Sequence, residues 1–192
     1  MKIPLILFIL FFLSSVFAED ISDFQIEGIS IGDSLLDHLI IDDIKKNEQG
    51  TKFKNKNYIK IVITKEQYKI IKNYDYLNLY VSKGDNRFRV EAINGDKYTQ
   101  NIQECLNLQK EISLELKNTI ENANFTNLEK SEHPGYKDTI THTIYFSFVD
   151  GGKGKVACIE PSEKLRKQNY KDVMKITIGS SEYTEWLRTA YD

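Results

Sequence analysis

Apolar and polar residues alternate along six stretches of the chain, a pattern typical of strands with one buried face. These stretches are 58–64, 76–82, 87–93, 141–149, 155–159 and 173–178. Lys83-Gly84-Asp85-Asn86 joins the second to the third and favours a tight turn, so this pair predicts a β-hairpin. Residues 150–154 join the fourth to the fifth in the same way. The third stretch would place Phe88, Val90 and Ala92 on one face, and Asn94-Gly95-Asp96 would end it.

Three other stretches have the spacing of amphipathic helices. Residues 30–47 predict one or two short helices, and residues 99–123 predict a long one with Thr99 as its N-cap. After Gly179, a serine at 180 or 181 would cap a closing helix. The apolar stripe of the long helix comprises Ile102, Cys105, Gln109, Ile112, Leu116 and Ile120.

Hairpin-linked strands pair antiparallel, whereas parallel strands need a long crossover at each step. The order of elements therefore predicts an α+β fold, with a mostly antiparallel sheet of about five to six strands. We expect the long central helix and the short N- and C-terminal helices to pack on one face of that sheet.

The first 18 residues have the composition of a secretory signal peptide. Lys2 precedes an apolar run from Ile3 to Leu13, and small residues stand before the acidic Glu19. The run is shorter than the roughly 20 residues that span a bilayer. We predict cleavage after Ala18, which leaves residues 19–192 as a single domain in the periplasm or outside the cell, without a transmembrane segment. The alternative is that the segment is retained as an N-terminal anchor.

The chain has two cysteines, Cys105 and Cys158. In an exported protein an even pair predicts a disulfide. Cys105 lies on the apolar stripe of the long helix, and Cys158 shares a strand face with Val156, so both can face the core. Such a bridge would join the helix to the sheet.

Charge and histidine spacing narrow the choice of partners. The 26 basic and 28 acidic residues nearly balance, at a net charge of −2, which gives no reason to expect nucleic acid as a partner. His38, His133 and His142 do not have the spacing of metal ligands, and no motif requires a cofactor. The prediction is therefore that the protein uses neither a metal nor a cofactor.

Gly32-Asp33-Ser34-Leu35 resembles the first block of the GDSL, or SGNH, hydrolases. That resemblance implies that Ser34 attacks an ester, with a base supplied by an Asp-x-x-His pair near the C-terminus. A serine needs such a base to be nucleophilic, and no histidine here follows an aspartate by three residues. We therefore interpret Ser34 as a helix cap and keep an esterase as the alternative.

Residues 24–37, directly after the signal, resemble a group of small exported proteins of low-GC marine bacteria. A cysteine in a long helix, a Gly-Gly hairpin before a second cysteine, and a final Trp-Leu helix are similar as well. The resemblance implies no particular activity. A fainter one, to small outer-membrane assembly lipoproteins, covers the first half of the chain and lacks their lipidated cysteine.

These observations predict an exported periplasmic protein that acts as a non-enzymatic binding or envelope-associated module. Its partner would be an envelope protein or a small ligand. The alternative is a GDSL-like serine esterase that uses Ser34.

Overall fold

The computed structural model describes residues 21–51, 53–120 and 123–190, which form a small hairpin, a large antiparallel sheet and four helices. The predicted signal peptide, residues 1–18, lies outside the described residues. The helices are α1 (Ile41–Lys46), α2 (Ile102–Thr119), α3 (Glu163–Arg166) and α4 (Ser181–Thr189). The strands are β1 (Gln25–Ile26), β2 (Ile29–Ser30), β3 (Glu48–Gln49), β4 (Tyr58–Thr64), β5 (Tyr76–Ser82), β6 (Val90–Thr99), β7 (Asn124–Phe125), β8 (Glu129–Glu132), β9 (Ile140–Ser147), β10 (Lys153–Glu160) and β11 (Asp172–Gly179).

The large sheet has nine strands in the order β3-β4-β5-β6-β11-β10-β9-β7, and β8 pairs with another part of β9. The α+β class is broadly right, but the prediction of five to six strands is wrong. All six predicted strands form, and the sheet gains β3, β7 and β8 at its edges. These strands have two to four residues and mostly exposed side chains, so their sequences carry no alternation.

Helices cover both faces of the sheet, which also corrects the prediction. Helix α2 packs on one face, against β10 and β11, through Cys105, Ile112 and Leu116. Helix α4 packs on the other face, where its Tyr183 and Trp186 form a second cluster with residues of β4, β5 and β6. That cluster includes Tyr58, Tyr80 and Ala92, which alternate along their strands with residues of the main core.

Strand β6 is longer than predicted and includes Thr99, the predicted N-cap of the long helix, so the helix begins later than predicted. Thr99 ends this strand, and Asn101 caps α2 by accepting a hydrogen bond from the Glu104 backbone N–H at 2.9 Å. Gly95 does not form a turn. A Cβ at this position would lie 2.8 Å from the Tyr74 ring, so the glycine allows that ring to pack against the strand.

A β-bulge at Glu91 changes which side chains of β6 face the core. Tyr80 pairs with Ala92, whereas Val81 pairs with Val90, so one residue of β6 is left over between them. Val90 therefore joins the main core and Ala92 joins the α4 cluster. The prediction that they share a face is wrong, because the bulge reverses the alternation.

Two side-chain links hold α2 on the sheet. The Sγ atoms of Cys105 and Cys158 lie 2.02 Å apart, as a disulfide between α2 and β10. One turn further along α2, the buried Gln109 donates from Nε2 to the backbone oxygens of His142 and Val156, each at 2.7 Å. Within the described ranges, no helix has the length and apolar character needed to cross a membrane.

Candidate functional site

A group of polar side chains occupies the middle of the sheet face that carries α4. Cross-strand pairing forms them into two rows. One row runs Tyr76–Asp96–Lys175, and the other runs Asn78–Asn94–Thr177–Lys155. Because directly opposed residues of a sheet point to the same side, these seven side chains share one surface, which we call the polar face.

Asp96 is the centre of the polar face. Only 1% of this residue is exposed, and Lys175 Nζ lies 3.2 Å from its Oδ1 in an ion pair. Asn78 Nδ2 donates to Oδ2 at 3.2 Å. Burial raises the pKa of Asp96 above its ordinary value, while Lys175, the Tyr76 hydroxyl and Asn78 act in the opposite direction. A carboxyl group in this position is costly to bury, and its neighbours offset the cost only in part.

Lys155 is the second cation of the polar face, and no carboxylate of the described chain forms an ion pair with it. Burial and the charge of Lys175 lower the pKa of Lys155, whereas the charge of Asp96 raises it. Beside Lys155, the hydroxyl of Thr177 is buried and has no hydrogen-bond partner among the described residues. Buried polar atoms normally have partners, so this part of the face has unused hydrogen-bonding capacity.

Aromatic side chains border the polar face on two sides. On one side, the rings of Tyr76 and Tyr98 have centroids 6.0 Å apart, and Lys171 Nζ lies 5.6 Å from the centre of the Tyr98 ring. On the other side, the segment that joins β8 to β9 carries His133 and Tyr136, whose ring centroids are 5.1 Å apart. Burial, then the charges of Lys155 and Lys175, lower the pKa of His133, so this imidazole lies within electrostatic range of both lysines.

Ser34 is not one of the residues of the polar face, and its hydroxyl makes two hydrogen bonds within the fold. Its Oγ donates to the backbone oxygen of Arg87 at 2.7 Å and accepts from the Leu36 N–H at 3.3 Å. The hydroxyl thus caps the short 3₁₀ turn Leu35–Asp37 and ties it to the β5–β6 hairpin. His38 pairs with Asp33 at 3.5 Å. Neither hydrogen bond of the hydroxyl goes to a histidine, although a serine nucleophile requires such a base.

The three histidines do not meet in the structure. His38 is near Asp33, His133 is at the edge of the polar face, and His142 lies 3.7 Å from Glu160 on the α2 side of the sheet. Within the part of the chain that the structure describes, no three of the metal-binding residue types are grouped so that they could hold an ion.

In the sequence, the residues of the polar face carry only weak signals of a site. Lys153, Lys155, Lys175 and Thr177 occupy the polar positions of their strands, where solvated side chains are the ordinary expectation. Asp96 follows Asn94 and Gly95 in a tripeptide typical of turns. Asp96 and Lys175 come together only through the pairing of β6 with β11. These strands are far apart in the sequence: their paired residues Thr99 and Asp172 are separated by 73 positions.

Comparison of the chain with protein-family models, with curated proteins and with solved structures found no match in any of the three.

Proposed function

We propose that the protein is an exported binding module that holds its ligand on the polar face. The observation that carries the proposal is the charged group Asp96–Lys175–Lys155 in the middle of the sheet. Apolar side chains at these positions would make the fold more stable, since the desolvation of charges is costly. Charged groups retained in a half-buried position are typical of functional sites.

The aromatic border supports binding. Tyr98, Tyr136 and Tyr170 are large side chains with 40% to 48% of their surface exposed, and all three stand beside the polar face or on the segments next to it. Tyrosine rings offer a flat apolar surface together with a hydroxyl, and such side chains are common where proteins contact ligands.

The disulfide supports export, because bridges of this kind persist in oxidising compartments. The periplasm is therefore our proposed location, with residues 1–18 as the signal. The hydrogen bonds of Ser34 favour a structural role, so the binding function ranks before the esterase.

A binding experiment with a blocking variant tests the proposal. The probe is the low-molecular-weight fraction extracted from the cells that make the protein, titrated into the purified mature chain and followed by calorimetry. Asn94→Tyr adds bulk in the middle of the polar face, and Asn118→Tyr adds the same bulk on the exposed side of α2.

We expect binding to the wild type and to Asn118→Tyr, and loss of binding in Asn94→Tyr. Both variants are first compared with the wild type by circular dichroism, to establish that they fold. Equal binding by all three proteins, or no binding by the wild type, would refute the proposal. Hydrolysis of a model ester that disappears in Ser34→Ala would favour the esterase instead.

A further inference from the structure

The charges on the polar face do not balance. Lys175 is paired with Asp96, and no carboxylate of the described chain forms an ion pair with Lys155. Lys155 lies on β10 directly opposite Thr177 and diagonal to Lys175, so the two ammonium groups share one side of the sheet. The single carboxylate at the centre of the face therefore serves two lysines.

The other charged groups on this side of the sheet leave Lys155 without an ion pair. The exposed Glu129 of β8, opposite Thr143, points to the same side but is not ion-paired with Lys155 among the described residues. His133 continues the ladder in which Ser131 faces Thr141, which places the imidazole on the same side of the sheet as Lys155. Lys153 occupies the same side of β10, two residues away. Among the neighbouring carboxylates, Asp172 receives two hydrogen bonds from Arg166, at 2.7 Å and 2.8 Å.

At the opposite end of the face, the carboxylate of Glu91 is engaged by α4. Glu91 accepts a hydrogen bond from the Ser180 hydroxyl at 2.7 Å, at the start of α4. A half-buried ammonium group without a counter-charge destabilises the fold, and a bound anion would relieve that cost. The free hydroxyl of Thr177 adds a neutral donor next to the two ammonium groups.

We infer that the ligand carries an oxyanion, a carboxylate or a phosphate, which binds between Lys155 and Lys175 with His133 and the Thr177 hydroxyl beside it. The inference rests on the proposed binding function and specifies the class of ligand. Lysine acts as a compact point charge and does not impose the two-pronged geometry of arginine, so the lysines accept either oxyanion. The exposed rings of Tyr98 and Tyr136 offer apolar surface on which the rest of the ligand would stack.

Small probes test this inference without knowledge of the ligand. Acetate, inorganic phosphate and the neutral acetamide are titrated into the mature protein at constant ionic strength, and the amide shifts of β10 and β11 are followed by NMR. We expect saturable binding of acetate, phosphate or both, and no binding of acetamide. Preference for one anion identifies the carboxylate or the phosphate as the natural group.

Two matched variants locate the anion. Lys155→Met removes the ammonium group and keeps a similar stem, and Lys110→Met makes the same change on an exposed position of α2, across the sheet. Anion affinity should fall by about tenfold or more in Lys155→Met, as for the loss of one desolvated charge pair, and stay unchanged in Lys110→Met. Three results would overturn the inference: acetamide binds with the same affinity as acetate, the two variants bind the anion equally, or the wild type binds no anion.

The two proposals can fail separately. If Asn94→Tyr abolishes binding of the extracted ligand while Lys155→Met leaves that affinity unchanged, the polar face binds a ligand that is not anionic at this point. If the anions bind but no extracted ligand does, the charged site exists and the proposed function fails.

Discussion

Removal of the disulfide should lower the stability strongly and leave the polar face intact. The perturbation is the double variant Cys105→Ala/Cys158→Ala, compared with the wild type before and after reduction. The bridge closes a loop with a sequence separation of 53 residues, which contains most of α2, the edge strands β7 and β8, and β9. Chain entropy over such a loop corresponds to about 4 kcal/mol of the free energy of unfolding.

The assay is equilibrium unfolding in guanidinium chloride, followed by far-UV circular dichroism and by the fluorescence of the buried Trp186. Reduction alone isolates the effect of the cross-link, because both sulfurs remain. The double variant should lose slightly more than the reduced wild type, since both cysteines have 0% exposure and their replacement leaves small cavities. The free energy of unfolding of a domain of this size is roughly 5–15 kcal/mol, so the loss of the cross-link should be easily measured.

Ser113→Ala is the control for this experiment. Ser113 is buried on the same side of α2, and its hydroxyl has no hydrogen-bond partner among the described residues. Its removal should leave the stability within about 0.5 kcal/mol of the wild type or raise it, because an unpaired polar group is lost. A loss below about 1 kcal/mol on reduction, with Ser113→Ala as expected, would refute the entropy argument.

Three further changes test other parts of the structure. Gly95→Ala should cost about 1–3 kcal/mol by forcing the Tyr74 ring out of place, while Gly50→Ala, where a Cβ has no neighbour within 4 Å, should cost far less; thermal unfolding measures both. Ser34→Ala should lower stability by about 1 kcal/mol through loss of the cap and leave any ester hydrolysis unchanged, and a stopped reaction would contradict this. Because burial raises the folded pKa of Asp96, this group contributes most to the free energy of unfolding below its unfolded pKa of about 4, and the contribution declines as pH rises above it. The stability of Asp96→Asn relative to the wild type should therefore increase as pH rises from about 4 in denaturant titrations, and a parallel pH dependence of the two proteins would refute this.

The periodicity of the sequence predicts the strongest elements of the fold correctly. Strand β11 alternates because one of its faces is buried against α2, and the apolar residues Leu77, Leu79 and Val81 of β5 lie together in the main core. The closing helix begins after Ser180, which accepts from the Tyr183 N–H at 3.1 Å. The two cysteines, placed on core-facing positions by the same reasoning, lie at disulfide distance.

Two kinds of feature were beyond sequence reasoning. The edge strands β3, β7 and β8 are held by backbone hydrogen bonds to one neighbour, which need no particular side-chain pattern. Gly95 is a residue typical of turns that instead serves ring packing, and this requires knowledge of where Tyr74 lies. The resemblance to small exported proteins of marine bacteria stays a prediction.

The polar face is a product of non-local strand pairing. Lys155, Asp96 and Lys175 belong to three strands, and the middle one, β11, connects two parts of the chain that are far apart in sequence. In the sequence each of them is an ordinary polar residue. Only their arrangement, a buried acid paired with one lysine that has a second lysine beside it, distinguishes them from solvated side chains.

The most direct test is an NMR experiment that identifies which residues of the mature protein contact small molecules extracted from the cells that make it. The amide spectrum is recorded before and after addition of the low-molecular-weight extract. We predict that the shifts concentrate on residues 94–98, 155–157 and 173–177, which belong to the middle of the sheet. Shifts confined to residues 32–38 around Ser34, or a spectrum unchanged by a saturating extract, would contradict the account.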